Sequence, residues 1–556
     1  MPAMSYPFVN CDDPQYVQDN LYLSLNWNNL LRWWTTPVVG LYLPLTMYSY
    51  MLDHLLGGIK PAIYHWQSLL WHLLAVVMVY RCLKAGGLAV GYAWFGALLF
   101  GIHPQRVESV VWIAERKDVM CAAFYFWSLH AFLIARDPER FNWKVAILLL
   151  AALLCKPMAV SLPVLFILID YARREKFELL RYFRKFTPYF IPAVIVALVT
   201  FQIQSSIDSV AADRSRQLAA VLHNLWWYPL RTLYPVGLSP YYPRIVFSVG
   251  TVIGLFSAYL AATIILVVAY CRCRRSFFYF RIVPALAAIV VVMLPTVGVV
   301  QIGEIDYADR YSYIFSVLLI FYLLFGVQAL CRRFRRRWVY GTAVFAGVMI
   351  LANLHYQPTW CGKLNYWRRA AIPQPANHSA IIMAAFCELE NQNYPAVAVL
   401  AARLASARES YEAERHPDAG RLQADFLMAE VAFRTGQIAV ARNIITARYC
   451  RRRPSYLDSN VETFILHRLI SFYMWDGNYD RTKFYLRRFF NLCRVNCKED
   501  FSLYYYRGLY YGFNGRIKEA EENFQTALLL QPGDPVVLRC LEHLRQMKAR
   551  APQEKK

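Results

Sequence analysis

The chain has no Walker loop, no dinucleotide-binding glycine fingerprint, no HExxH and no GxSxG elbow, which excludes the chemistries those motifs carry. Charge is also scarce: only 17% of the 556 residues are charged, and 37 acidic residues face 60 Lys and Arg. With 58% hydrophobic residues and a mean hydropathy of +0.28, that scarcity excludes an ordinary soluble globular protein. The thirteen cysteines are scattered. Cys493 and Cys497 in "CRVNCKED" are the only close pair in the tail, and a metal site would need two further ligands nearby, which are not evident. A disulfide there requires an oxidising compartment; burial of both thiols in helical packing is an equal alternative. The start, "MPAMSYPFVNCDD", has neither the basic, hydrophobic character of a cleaved signal peptide nor a span of its own. Apolar runs approaching the ~20 residues that a bilayer requires are missing after about residue 356.

Before that point such runs fill the chain. We read spans near residues 62 to 82, 88 to 102, 118 to 135, 143 to 155, 157 to 172, 187 to 203, 247 to 270, 281 to 300, 310 to 330 and 338 to 356. The net charge of +23 does not indicate nucleic acid, because its densest clusters are short loops between spans: 173 to 185, 271 to 275 and 331 to 337. Such loops are cytoplasmic under the positive-inside rule. Counting spans from them puts "HPQRVESVVWIAERKD", "SSIDSVAADRSRQ", "GEIDYADR", the N-terminal Asp pair and everything beyond residue 356 on the outer side. This count needs residues 143 to 172 to form two short spans joined near Lys156 and Pro157. Residues 217 to 235 are then re-entrant, interfacial or an even number of crossings.

The tail has a different pattern. From about residue 376, small and aromatic residues recur at helical spacing, and "FNGRIKEAEENFQTALLLQPGD" reads as the second half of a tetratricopeptide repeat (TPR). Aligning Tyr394, Ile438, Tyr479 and Ile517 gives three or four repeats spaced somewhat above the usual ~34 residues. The expected fold is all-α: a polytopic helix bundle over residues 1–356 and a TPR-like α-solenoid over 357–556, which serves stability and assembly or offers a concave surface to extended peptides and partner proteins. "NHS" at Asn377 is an N-glycosylation sequon.

Chemistry must come from the polar residues at the outer membrane edge: Asp12, Asp13, His65, His72, His103, Arg106, Glu108, Glu115, Arg116, Lys117, Asp118, Lys156, Glu304, Asp309 and Arg310. Ionisable groups at a membrane boundary are costly and by default mark function. The plainer alternative is that Glu108, Arg116, Asp118 and Arg310 pair with one another to satisfy buried charge.

Seven motifs, "FVNCDD", "LYLPLTMYSYMLDHLLG", "IYHWQSLLWHLL", "FGIHPQRVESVVWIAERKDVM", "LLCKPMAVSLPVLFILIDY", "LSPYYP" and "YADRYSYI", stand in the order and spacing of the transmembrane-and-tetratricopeptide O-mannosyltransferase family and its bacterial relatives. The chain resembles that family over essentially its whole length. The resemblance implies a glycosyltransferase of the C-type membrane fold (GT-C) that moves a sugar from a polyprenyl- or dolichyl-phosphate carrier to Ser or Thr of proteins. It implies no cofactor and no nucleic acid, and it leaves a divalent metal open. Asp13 or Asp12 would be the general base, since a hydroxyl is a weak nucleophile until a positioned base takes its proton. Arg116, Lys156 and Arg310 would hold the donor phosphate. His65, His103, Arg106, Glu108, Asp118 and Asp309 would support them.

The chain departs from the family in lacking a span before the acidic motif, in Leu43 where Arg is common, in Arg106 where a second His is common and in Phe315 where Pro is typical. Mannose therefore does not follow automatically. Two rival readings are a noncatalytic membrane scaffold using the repeats to dock an envelope complex, and a transferase acting on a surface polysaccharide or lipid. The expected location is a bacterial inner membrane with the tail in the periplasm, or an endoplasmic reticulum membrane with a lumenal tail in a eukaryote.

Overall fold

The structure, a computed structural model, describes residues 2–9, 11–176, 178–205, 214–245, 247, 249–272, 274–299, 305–330, 337–373, 377–407, 419–447, 459–475, 477–496 and 501–550. Glu304, Cys497, residues 331–336 and most of "SSIDSVAADRSRQ" lie outside them. Among the described residues the regular elements are helices, with one isolated bridge between Val38 and Leu41. The chain forms two compact units, Met1–Ile381 and Ile382–Lys556.

The first unit contains α1 (Trp27–Arg32), α2 (Pro44–Gly57), α3 (Pro61–Ala85), α4 (Val90–Ile102), α5 (Arg106–Val111), α6 (Arg116–Leu133), α7 (Trp143–Cys155), α8 (Leu162–Arg174), α9 (Leu179–Ser205), α10 (Arg214–Leu233), α11 (Val249–Arg272), α12 (Val283–Met293), α13 (Phe315–Leu330), α14 (Arg337–Tyr356) and α15 (Lys363–Ala370). Each of the ten apolar segments read as spans overlaps one of these helices. Among the described residues, three are long and apolar enough to cross a membrane on their own: Pro61–Ala85, Leu179–Gln204 and Gly250–Arg272. Residues 143 to 172 form two helices, as expected. Lys156 is extended at φ −159° and ψ 134°, and Pro157, which cannot continue an α-helix from the preceding turn, opens a single 3-10 turn to Ser161. Residues 217 to 235 fall in α10, where Asn224 Nδ2 donates to Val297 O at 3.0 Å and to Asp306 O at 2.8 Å.

One apolar core joins these helices. Phe132 of α6 stacks on Phe166 of α8 at 4.4 Å, and Phe100 of α4 meets Tyr313 edge-on at 5.1 Å. At Gly96 of α4 a Cβ would stand 2.7 Å from Leu83 and 2.8 Å from Leu324, so only glycine lets α3 and α13 approach so closely. The helix directions matter for function. The starts of α3, α6 and α13 and the ends of α4 and α7 share one end of the bundle; the end of α8 and the start of α9 lie at the other. There Asp170, nearly buried, pairs with Arg181 at 2.9 Å and Lys185 at 2.7 Å. An apolar groove of about 570 Å³ runs from this end along α9, lined by Tyr182, Phe186, Phe190 and Val194.

In the second unit, Tyr394, Ile438, Tyr479 and Ile517 each open a helix: Tyr394–Ser406, Ile438–Ile445, Tyr479–Asn496 and Ile517–Leu530. Two residues before each stands a positive-φ turn residue: Gln392, Gly436, Gly477 and Gly515. The repeat thus shows in the backbone as helix, left-handed turn and helix, the arrangement of a helical solenoid.

Candidate active site

The acidic pair that follows "FVNC" is split by its surroundings. Asp13 is 1% exposed, and its two carboxylate oxygens accept from Val9 N and Ala114 N, each at 2.8 Å. It ties the N-terminal loop to the turn that leads into α6. Burial, followed by the Asp12 charge and only partly offset by those two hydrogen bonds, pushes the Asp13 carboxyl up to about 7. Asp12 is only partly covered, and its carboxylate takes no hydrogen bond among the described residues. Burial raises it too, while Lys117 and Arg310 pull it down.

At this end of the bundle, four cations are matched to four carboxylates. Arg310 donates to Glu108 through Nη1 at 2.5 Å and through its backbone N at 2.9 Å. Lys117 lies 2.9 Å from Glu115. Lys156 pairs with Asp118 and stands 3.4 Å from Glu115. Arg116 pairs with Asp53 and donates to Tyr64 O at 2.8 Å, Ser68 Oγ at 3.2 Å, Ser49 Oγ at 3.3 Å and Gln67 Oε1. Burial alone would raise Glu115, but Lys117, Lys156 and Arg310 together outweigh it and hold the carboxyl well below its usual range. The pairing satisfies the rule that charges leave water only with partners.

Arg116 is engaged on every side, its guanidinium lying over Tyr50 at 4.5 Å, so it braces α6 against α2 and α3. His65 Nε2 donates to Tyr6 O at 3.1 Å and fixes the N-terminal strand of chain to α3. His103 Nδ1 accepts from Gln105 N at 3.3 Å, so Nε2 carries the proton donated to Thr232 O at 3.0 Å. Asp309 accepts from Tyr242 OH at 3.0 Å and Gln105 Nε2 at 3.4 Å; burial and the Glu108 charge push it up to about 7. Arg106 donates through Nη2 to Ser312 Oγ at 2.5 Å. His72 sits deeper, with Nδ1 2.5 Å from Tyr313 OH.

The structure therefore gathers Asp12, Asp13, Glu108, Glu115, Lys117, Asp118, Lys156 and Arg310 at one end of the bundle. Asp53 was not singled out, although a lone carboxylate in the apolar run "LPLTMYSYMLDHLLG" is the signal that points to it. Tyr242 and Gln105, which fix Asp309, carry no such signal. Among the described residues no cluster of three or more His, Cys, Asp or Glu is arranged to hold a metal. Asn377 is 3% exposed and its side chain is engaged by Ala380 N at 3.1 Å, so the sequon is folded away from the surface.

No protein-family model matches the chain, and no solved structure matches it. Curated proteins do. A stretch of 149 residues is 33% identical to Protein O-mannosyl-transferase Tmtc1 of Drosophila melanogaster, covering 24% of this chain and 16% of that protein. A stretch of 93 residues is 37% identical to Protein O-mannosyl-transferase TMTC2 of Mus musculus, covering 16% and 11%. A stretch of 164 residues is 25% identical to Protein O-mannosyl-transferase TMTC3 of Homo sapiens, covering 27% and 18%. The matched part is thus less than a fifth of the length of each of these relatives.

Proposed function

We propose that the chain is a membrane glycosyltransferase of the C-type that moves a sugar from a polyprenyl- or dolichyl-phosphate donor to Ser or Thr of protein acceptors. The similarity to proteins named O-mannosyl-transferases supports the class of reaction. The observation that carries the residue roles is the split of the acidic pair: Asp13 gives both oxygens to backbone N–H groups, whereas Asp12 keeps its carboxylate open beside Lys117 and Arg310. Asp12 is the general base and Asp13 holds its loop.

The reaction is a single displacement with inversion. Asp12 takes the acceptor hydroxyl proton as that oxygen attacks the anomeric carbon; the bond from that carbon to the phosphate oxygen breaks, and the phosphate leaves with the electron pair. Lys117, Lys156 and Arg310 keep the site's carboxylates neutralised, so the donor's negative charge meets no unbalanced acidic cluster. Arg116 acts as a brace. The site end of the bundle faces the periplasm or lumen, and the repeats bring the protein acceptor to that side.

The test is transfer of labelled mannose from dolichyl-phosphate mannose to an acceptor peptide by purified protein. Asp12→Asn should lower the rate about 10²- to 10⁴-fold, the usual contribution of a general base. An Asp12→Asn protein as fast as wild type would sink the assignment. No transfer of any sugar by the wild type, with the tail still binding envelope proteins, would favour the scaffold reading.

A further inference from the structure

Once the four matched pairs are set aside, one guanidinium is left over. Arg106 is 1% exposed, makes one hydrogen bond, to Ser312 Oγ, and its Nε and Nη1 have no hydrogen-bond partner among the described residues. Among the described residues no carboxylate forms an ion pair with it. Asp309, one of the acids whose charge acts on Arg106, is held by Tyr242 and Gln105 instead. Its guanidinium carbon lies 4.9 Å from the Tyr313 ring centroid and 5.5 Å from that of Phe100, two rings that meet each other edge-on, while Nε and Nη1 stay unpaired. A buried cation with idle donors is costly and is retained where a ligand completes it.

We infer that Arg106 is the receptor for the donor's lipid phosphate; this rests on the transferase reading and names its anion-binding residue. Arginine suits the task, because three idle N–H groups on one rigid plane match two phosphate oxygens. The alternatives at the site are occupied: Arg116 is enclosed by five partners, Arg310 is committed to Glu108, and Lys117 and Lys156 to Glu115 and Asp118. The layer over Arg106 must part for the donor to enter.

The experiment uses the full chain in phosphatidylcholine nanodiscs, with wild type, Arg106→Gln and Arg106→Lys. The measured quantities are affinity for dolichyl phosphate, affinity for phosphatidylglycerol and the thermal midpoint without ligand. We expect Arg106→Gln to bind dolichyl phosphate about 10- to 100-fold more weakly, the loss of charge-assisted contacts to one phosphate. Arg106→Lys should lie between, and the unliganded midpoint of Arg106→Gln should equal or exceed that of wild type, because an unpaired buried charge has gone. Dolichyl phosphate affinity within twofold of wild type in Arg106→Gln overturns the inference, and so does a lowered midpoint with full affinity in Arg106→Lys, which marks a packing role. Equal losses for phosphatidylglycerol and dolichyl phosphate would assign the residue to an ordinary lipid headgroup and overturn it too. If wild type binds no polyprenyl phosphate and transfers no sugar, it is the transferase reading that has failed.

Discussion

At the scale of residues, the acidic pair shows how far sequence reasoning reaches. That two adjacent carboxylates matter is visible in "FVNCDD", and the alternation of side chains along an extended loop says that they cannot share one role. Which one the proposed roles make the base is not visible, because that assignment rests on Ala114 N, about a hundred positions away, and on how much water each carboxylate keeps. The same holds for the surplus on Arg106, which appears only when every neighbouring cation has been matched. Asp13→Asn should lower thermal stability, since an amide nitrogen would face a backbone N–H that now donates; differential scanning of purified protein checks this. The pH dependence has a definite sign. A folded carboxyl near 7 and an unfolded one near ~3.9 mean that Asp13 favours the folded state most at low pH, an advantage lost as pH rises from about 4 through 7. The midpoint gap between wild type and Asp13→Asn should therefore shrink across that window. Under the proposed roles transfer runs the other way: with Asp12 as the base it requires the ionised carboxylate and should rise with pH, with a midpoint above that of an ordinary aspartate.

At the scale of elements, helix positions were legible because apolar run length and proline mark them directly. The break at Lys156 and Pro157 is the clearest case. The positive-φ turns before Ile438, Tyr479 and Ile517 were equally legible through their glycines, whereas Gln392 does the same work without one. Between-helix fit was not legible. Arg116 of α6 reaches Asp53 of α2 and Tyr64 and Ser68 of α3, so Arg116→Gln should strand a buried carboxylate and cost about 3 to 5 kcal/mol, read as loss of folded protein in detergent. A donor-clamp role would instead leave folding intact. In the second unit, a Cβ on Gly508 would stand 2.6 Å from the Phe524 ring, so Gly508→Ala should force the last helix pair apart and destabilise it by about 1 to 3 kcal/mol. Proteolysis at the C-terminal repeat, faster in the variant, reports it.

At the scale of the whole molecule, the charged cluster of Asp12, Glu115 and Arg310 and the Asp170–Arg181–Lys185 network occupy opposite ends of one bundle. Cysteines introduced at the exposed positions Gln15 and Lys176 should therefore react with a membrane-impermeant reagent from opposite sides of sealed vesicles. Labelling of both from one side would remove the outward-facing site. The Asp13 tether has a further consequence, in the order of synthesis. The acidic pair leaves the ribosome about a hundred residues before its anchor at Ala114, and Arg310 follows after another two hundred. Until that last segment is inserted, Glu108 lacks its cation and the N-terminal loop has no finished surface to settle on. Under the proposed roles, a nascent or prematurely terminated chain thus carries the base without the site, and cannot act on the growing polypeptides, its own included, that pass beside it.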